Sequence, residues 1–175
     1  MQDSPQCEFS AHAPMSKSRR GYTVRLAHEG DRLDLFKLAA LMHSETDFRH
    51  YHFNPRKALD GLGEWICRDA GRFMLVAEHD GVVVGMLGLV MRNTWFGEDI
   101  MASEELFYVH PEHRGTRAAY YLMEGFVALA HERGAHHLRA GVATATGNAA
   151  ERLYQRFGLF YVGGNFSAHI GETLS

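Results

Sequence analysis

Read from the N-terminus, the chain shows no period over residues 1–20, where Gln, Ser, Pro, His and Arg mix freely, and this reads as an extension preceding one domain over 21–175. From Tyr22 to Leu26 polar and apolar residues alternate as in a strand. Asp31 then has the character of a helix N-cap, followed by Leu35, Leu38, Ala39 and Met42 at helical spacing, a first helix to about His43. Asn54-Pro55 signals a second helix, with Leu62, Trp65 and Ile66 as its apolar face. Phe73–Ala77 and Val82–Leu87 are strand-forming runs separated by Asp80-Gly81, a pair suited to the positive φ angles of a tight hairpin. A loop with Trp95 and Phe96 leads to a further strand, Glu105–Val109, which His110-Pro111 ends. The spacing of Leu122, Phe126, Leu129 and Ala130 predicts a long helix from Thr116 to Arg133, stopped by Gly134. A strand over His137–Val142, a helix from Asn148 and short strands at Phe160–Val162 and Phe166–Ile170 complete the chain. The predicted order is β-α-α-β-β-β-α-β-α-β-β, an α/β (α+β) fold with one mixed sheet and helices on its faces.

With 175 residues, 46% of them hydrophobic and 22% charged, the chain has the profile of one soluble globular domain. A chain of this size buries roughly 70% of its unfolded surface, so a core needs neither metal nor disulfides. Eighteen Lys and Arg against 21 Asp and Glu leave a formal charge of −3, which argues against a nucleic-acid partner. The longest apolar stretch, Val82–Met91, contains glycines and falls short of the ~20 residues that span a bilayer, so no membrane role is expected. The two cysteines, Cys7 and Cys67, are too few for a disulfide scaffold, and a cytoplasmic location is the expectation. Twelve histidines include the close pairs His50/His52 and His136/His137, but no Cys or paired carboxylate completes a metal set with them.

The chemistry concentrates between Val109 and Ala119, where a strand passes through a basic, small-residue loop into a helix. Backbone N–H groups at such a turn, together with the positive end of the helix, attract an anion. Gly115, Ala118 and Ala119 leave room for a phosphate, and Arg114 and Arg117 add charge. The segment reads equally as a basic helix start with solvated arginines.

This segment resembles motif A of the GNAT superfamily of coenzyme-A-dependent N-acetyltransferases, written Arg/Gln-x-x-Gly-x-Gly/Ala. Arg114 and Ala119 match its first and last positions, while Arg117 stands where the middle Gly is usual. The run Asn148–Leu159 resembles motif B, with Leu159 in place of the common Phe, and Phe73–Leu89 is similar to the family's second and third strands. The resemblance implies a GNAT-like, mostly antiparallel sheet flanked by helices and direct transfer of the acetyl group of acetyl-CoA to an amine, without a metal. The acceptor is then a small-molecule or peptide amine. The resemblance also admits a homodimer, another acyl-CoA, or a non-catalytic CoA-binding or protein-interaction module of the same fold.

By the same resemblance, the loop from Arg114 through Gly115, Thr116, Arg117, Ala118 and Ala119 cradles the diphosphate, and the backbone of Phe107, Tyr108 and Val109 pairs with the pantetheine arm. Asn148 bonds the pantetheine amide, although with Glu151 three residues on it also forms a capping box. Tyr154 occupies the general-acid position, with a half-buried packing aromatic as the bland reading. Glu104 and Glu105 lie where family members carry the catalytic base. Adjacent strand residues face opposite ways, so at most one lines the cleft, and a solvated strand end accounts for either. His43, Arg49, His50, Tyr51 and His52 fall where the family shapes its acceptor pocket, with Trp95 and Phe96 as another wall.

Overall fold

The computed structural model describes residues 21–142 and 149–164. Its sheet runs in the order β1-β2-β3-β4-β5: Tyr22–Leu26, Arg72–His79, Val82–Asn93, Ile100–Val109 and His137–Arg139. The first four strands pair antiparallel and β5 lies parallel to β4. Helices α1 (Arg32–Glu45) and α2 (Pro55–Ile66) cover one face, and α3 (Ala118–Glu132) and α4 (Ala149–Arg156) the other. The mixed, mostly antiparallel sheet flanked by helices is the architecture expected from the sequence.

Both faces of the central strands are covered, which explains why they read as continuous apolar runs instead of alternating ones. Phe73, Leu75 and Ala77 point toward Leu122, Phe126 and Leu129 of α3. Met74 and Val76 point toward Leu35, Leu38, Leu62 and Ile66 of α1 and α2. The β2–β3 turn takes the predicted form, with φ of 50° at Asp80 and 80° at Gly81. Asn54 caps α2 by accepting from the Lys57 amide at 3.1 Å.

Asp31 does other work than the expected cap. Its buried carboxylate accepts from both terminal nitrogens of Arg25 (2.7 and 2.9 Å) and from the His28 amide (2.8 Å), and makes no cap bond to α1. Burial opposes its charge, but the Arg25 and His28 hydrogen bonds outweigh that and hold the carboxyl below the usual range. Strand β4 starts at Ile100, five residues before the predicted Glu105, and β5 stops at Arg139 instead of Val142. No strand forms at Phe160–Val162, whose side chains are exposed. Strand-forming residues need a ladder opposite them, and among the described residues none is placed there. The predicted strand Phe166–Ile170, residues 1–20 and Asn148 lie outside the described residues.

A bulge interrupts β4 where it matters for the site. Gly88 pairs with Leu106 and Leu89 with Glu104, so Glu105 has no partner on β3. A Cβ on Gly88 would come within 3.2 Å of both Leu106 and the Trp65 ring, so a side chain there would have to push these neighbours back by a few tenths of an ångström. The bulge shifts the alternation, which turns Ala102 toward α3 before it and Phe107 and Val109 toward α3 after it.

Candidate active site

Strand β4 ends at Val109, and His110 adds one more ladder bond to Val84 O at 2.9 Å. Pro111–His113 make a single 3₁₀ turn, closed by the Arg114 amide donating to Pro111 O. Gly115 then takes φ +74°, and a Cβ there would meet nothing within 4 Å. Thr116 stitches the bend: its hydroxyl donates to His113 O at 2.6 Å and accepts from the Ala118 amide at 3.2 Å. Among the described residues, the amides of Gly115, Thr116, Arg117 and Ala119 make no hydrogen bond, so four N–H groups remain open on the bend at the start of α3. Arg117 takes φ −89° and ψ 0°, a conformation any side chain adopts, and the departure from glycine costs the backbone nothing. Its exposed guanidinium lies 5.9 Å over the Tyr120 ring.

Strands β4 and β5 part just beyond this pairing. Among the described residues, only Met101, Ala102 and Ser103 pair with β5, and from Glu104 to Val109 none forms a ladder on that edge of β4. Glu104 sits at the fork. Its Oε2 accepts from the Gly141 amide at 3.2 Å and lies 3.2 Å from the Tyr154 hydroxyl, which α4 brings across the gap. The same hydroxyl lies 3.0 Å from Gly141 O. A phenol has one proton for these two acceptors, so protonating Glu104 lets its carboxyl donate to the phenol oxygen while the phenol donates to Gly141 O. Burial pushes the Glu104 carboxyl up to about 7, against the lowering effect of the Gly141 and Tyr154 bonds; the charge of Glu105 adds to the rise. Burial, then the neighbouring Glu104, hold the Tyr154 phenol well above its usual value. A cavity of about 800 Å³ opens here, with Glu104, Arg139, Gly141, Glu151, Tyr154 and Phe157 among its walls.

Of the two candidate carboxylates, the fold therefore brings only Glu104 to Tyr154. Glu105, the extra residue of the bulge, is exposed. Phe107 packs toward Tyr154, ring centroids 6.4 Å apart. Tyr108 faces the opposite side of the sheet, where its hydroxyl donates to Glu45 at 2.8 Å; burial and Glu45 push the phenol up to about 12. Arg114 turns the same way. Its Nε donates to Val109 O at 3.1 Å, its guanidinium lies 5.1 Å over the Tyr108 ring, and it pairs with Glu45. Hydrogen bonds from Arg114 and then from Tyr108 hold the Glu45 carboxyl below the usual range. The sequence gives no sign of a role for Glu45, which stands two residues beyond the predicted end of the helix at His43.

His43 lies in the last turn of α1 and not between the helices: its Nε2 bonds Tyr51 O at 2.8 Å, and its ring lies 4.9 Å from that of Phe53. Trp95 and Phe96 stack edge to face at the β3–β4 tip, 92% and 74% exposed, and are not among the cavity walls. Among the described residues, no group of three or more His, Cys, Asp or Glu is placed to hold a metal ion, and no helix is long and apolar enough to cross a membrane.

The acetyltransferase (GNAT) family model matches residues 38–159, a span that includes the C-terminal half of α1, the bulged β4, the open amides and Tyr154. The chain belongs to the GNAT acetyltransferase family. No curated protein sequence matches it. Similar solved structures include a transcriptional regulator from Bacillus halodurans C-125, at 22% identity and TM-score 0.70, covering 85% of this chain and 99% of that one. A ribosomal-protein-alanine N-acetyltransferase from Brucella melitensis biovar Abortus 2308 matches at 19% identity and TM-score 0.66, covering 86% and 99%. AAC(6')-Iy, solved with the bisubstrate analogue CoA-S-monomethyl-acetylneamine, matches at 14% identity and TM-score 0.68, covering 85% and 97%. At these identities the GNAT members share a fold with this chain, and the family's coenzyme is acetyl-CoA.

Proposed function

We propose that this GNAT protein transfers an acetyl group from acetyl-CoA to the amine of a small molecule or peptide, with Glu104 as the proton acceptor. The observation that carries the reading is the buried Glu104 carboxyl at the fork of β4 and β5, bridged to Tyr154. The residues present fit the coenzyme. Four unpaired amides at the turn into α3 suit a diphosphate, and the unladdered edge of β4 at Phe107–Val109 suits an extended amide-containing chain.

When bound, acetyl-CoA supplies the acetyl group as a thioester, already activated toward an amine. Glu104 has the complementary task. An alkylammonium must lose a proton before its nitrogen can attack, and a carboxylate with a pKa near 7 is a far better acceptor than an ordinary one near 4.5. Tyr154, held protonated, would take the general-acid role: once Glu104 carries the amine's proton and donates it to the phenol oxygen, the phenol's own proton is free for a leaving thiolate. The loop amides and the cavity wall hold the two reactants together, which supplies much of the acceleration in a direct transfer. Asn148, carried over from the motif resemblance, completes the proposed coenzyme contacts.

Thermal unfolding with and without acetyl-CoA tests the coenzyme, because a ligand that binds only the folded state raises Tm. Thiol release from acetyl-CoA in the presence of neamine, an alanine-terminated peptide and a lysine peptide tests the transfer. A Tm unmoved at millimolar acetyl-CoA would defeat the reading. A raised Tm with no thiol release across a wide amine panel would replace the enzyme by a coenzyme-binding module.

A further inference from the structure

Motif resemblance places Arg114 over the diphosphate, yet the geometry gives its guanidinium another occupation. Nε is bonded to Val109 O, a terminal nitrogen is bonded to Glu45, and the planar face covers Tyr108. Glu45 is the last residue of α1, and its carboxylate also accepts from Tyr108. Buried Thr46 follows, with its hydroxyl accepting from the Phe48 amide at 3.3 Å, so the course of the chain after Glu45 is set within one turn. Three side chains thus join the end of α1 to the unladdered edge of β4. Carrying the Arg114 guanidinium to a phosphate would strip Glu45 of its cation and Val109 O of its donor. Arg117 has no such ties. It is exposed, has no carboxylate partner among the described residues, lies over the Tyr120 ring, and stands beside its own open amide.

We propose that Arg114 is a positioning residue, fastening the end of α1 to the edge of β4 through Glu45 and Tyr108, while Arg117 is the arginine that meets the coenzyme's diphosphate. This division of labour rests on the coenzyme reading above. It gives a purpose to the arginine standing where the motif has glycine: the charge displaced from position 114 reappears three residues later, on the lip of the loop.

CoA affinity, measured by titration calorimetry on the full chain and four variants, separates the two roles. Arg117→Ala weakens CoA about five- to tenfold, the loss of one solvent-exposed charge-assisted contact, and flattens the salt dependence of binding. Arg114→Ala and Glu45→Gln stay within about twofold of the parent. The exchanged pair, Glu45→Arg with Arg114→Glu, keeps CoA affinity within about threefold, whereas a diphosphate-binding Arg114 replaced by a carboxylate would lose more than about thirtyfold. Amide hydrogen exchange over residues 45–51 quickens in Arg114→Ala and Glu45→Gln and is unchanged in Arg117→Ala. Arg114→Ala losing CoA affinity as heavily as Arg117→Ala overturns the assignment, as does unaltered exchange at 45–51. A parent protein that does not bind CoA defeats the coenzyme reading itself, a result distinct from either.

Discussion

Replacing Glu104 by Gln should disable the protein and stabilise it at once. With its oxygen in the place of Oε2, Gln keeps the acceptor for both the Gly141 amide and the Tyr154 hydroxyl, so the fork retains its bonds without the buried charge. The carboxyl is raised from 4.5 to about 7 in the folded chain. With a folded pKa above the unfolded one, its stabilising contribution is complete below about pH 4.5 and is lost as pH climbs through 7. At 1.36 kcal/mol per pH unit, the swing amounts to about 3 kcal/mol. A domain of this length gains roughly 2–4 °C in Tm per kcal/mol, so Glu104→Gln should melt roughly 6–12 °C above the parent at pH 8, with the gap closing toward pH 4.5. Turnover with a responsive amine should fall about 10²- to 10³-fold, the usual share of a general base. In the parent, kcat/KM should rise with pH to a plateau beyond an inflection near 7. Scanning calorimetry at pH 5 and pH 8, with thiol-release kinetics across the same range, reads all of this. A Tm difference independent of pH, or a rate profile without that inflection, would refute the reasoning.

The remaining predictions concern the groups around that carboxyl and the frame that holds it. Tyr154→Phe removes a hydrogen bond that lowers the Glu104 pKa, so the rising limb of the pH–rate profile should move to higher pH, read from kcat/KM between pH 6 and 9. Gly115→Ala places a methyl at φ +74° on the open side of the loop, costing about 1 kcal/mol of stability and at least about tenfold in CoA affinity, checked by calorimetry and titration. Arg25→Met strips buried Asp31 of its cation; with Arg25 partly solvated, we expect a loss of about 2–4 kcal/mol in urea unfolding at pH 7. Because the Asp31 carboxyl is held low, its stabilisation stands above its unfolded pKa near 3.8 and fades as pH falls through the folded value, so the variant's deficit should shrink in acid.

Local chemistry made much of this fold legible from sequence. Asp80-Gly81 announces its turn because both residues tolerate positive φ, and Asn54-Pro55 announces α2 because cap and ring act within one turn. The bend around Gly115 was visible for the same reason. What escaped depends on partners distant in sequence. Asp31 looks like a cap until Arg25, six residues earlier in β1, takes its carboxylate. Glu104 and Glu105 are indistinguishable as a dipeptide, and the choice between them is made by a bulge set by the register with β3. Phe160–Val162 has strand-forming residues, and among the described residues no strand lies beside it. Arg114 fits a motif position by type, and only the end of a helix 69 residues away in sequence shows where its guanidinium goes.

The same register shift links the frame to the chemistry. Without it, strict alternation along β4 would turn Phe107 and Val109 away from α3 if Glu104 kept its place at the fork. The extra residue lets one strand do both, sending Glu104 toward Tyr154 and, three residues on, Phe107 toward the same helix. Parting from β5 after Ser103 then frees the edge of β4 at the residue where the buried carboxyl begins. A proton acceptor near neutrality and an open strand edge for an extended chain thus arise from one irregularity, at a cost in stability of the size Glu104→Gln should return.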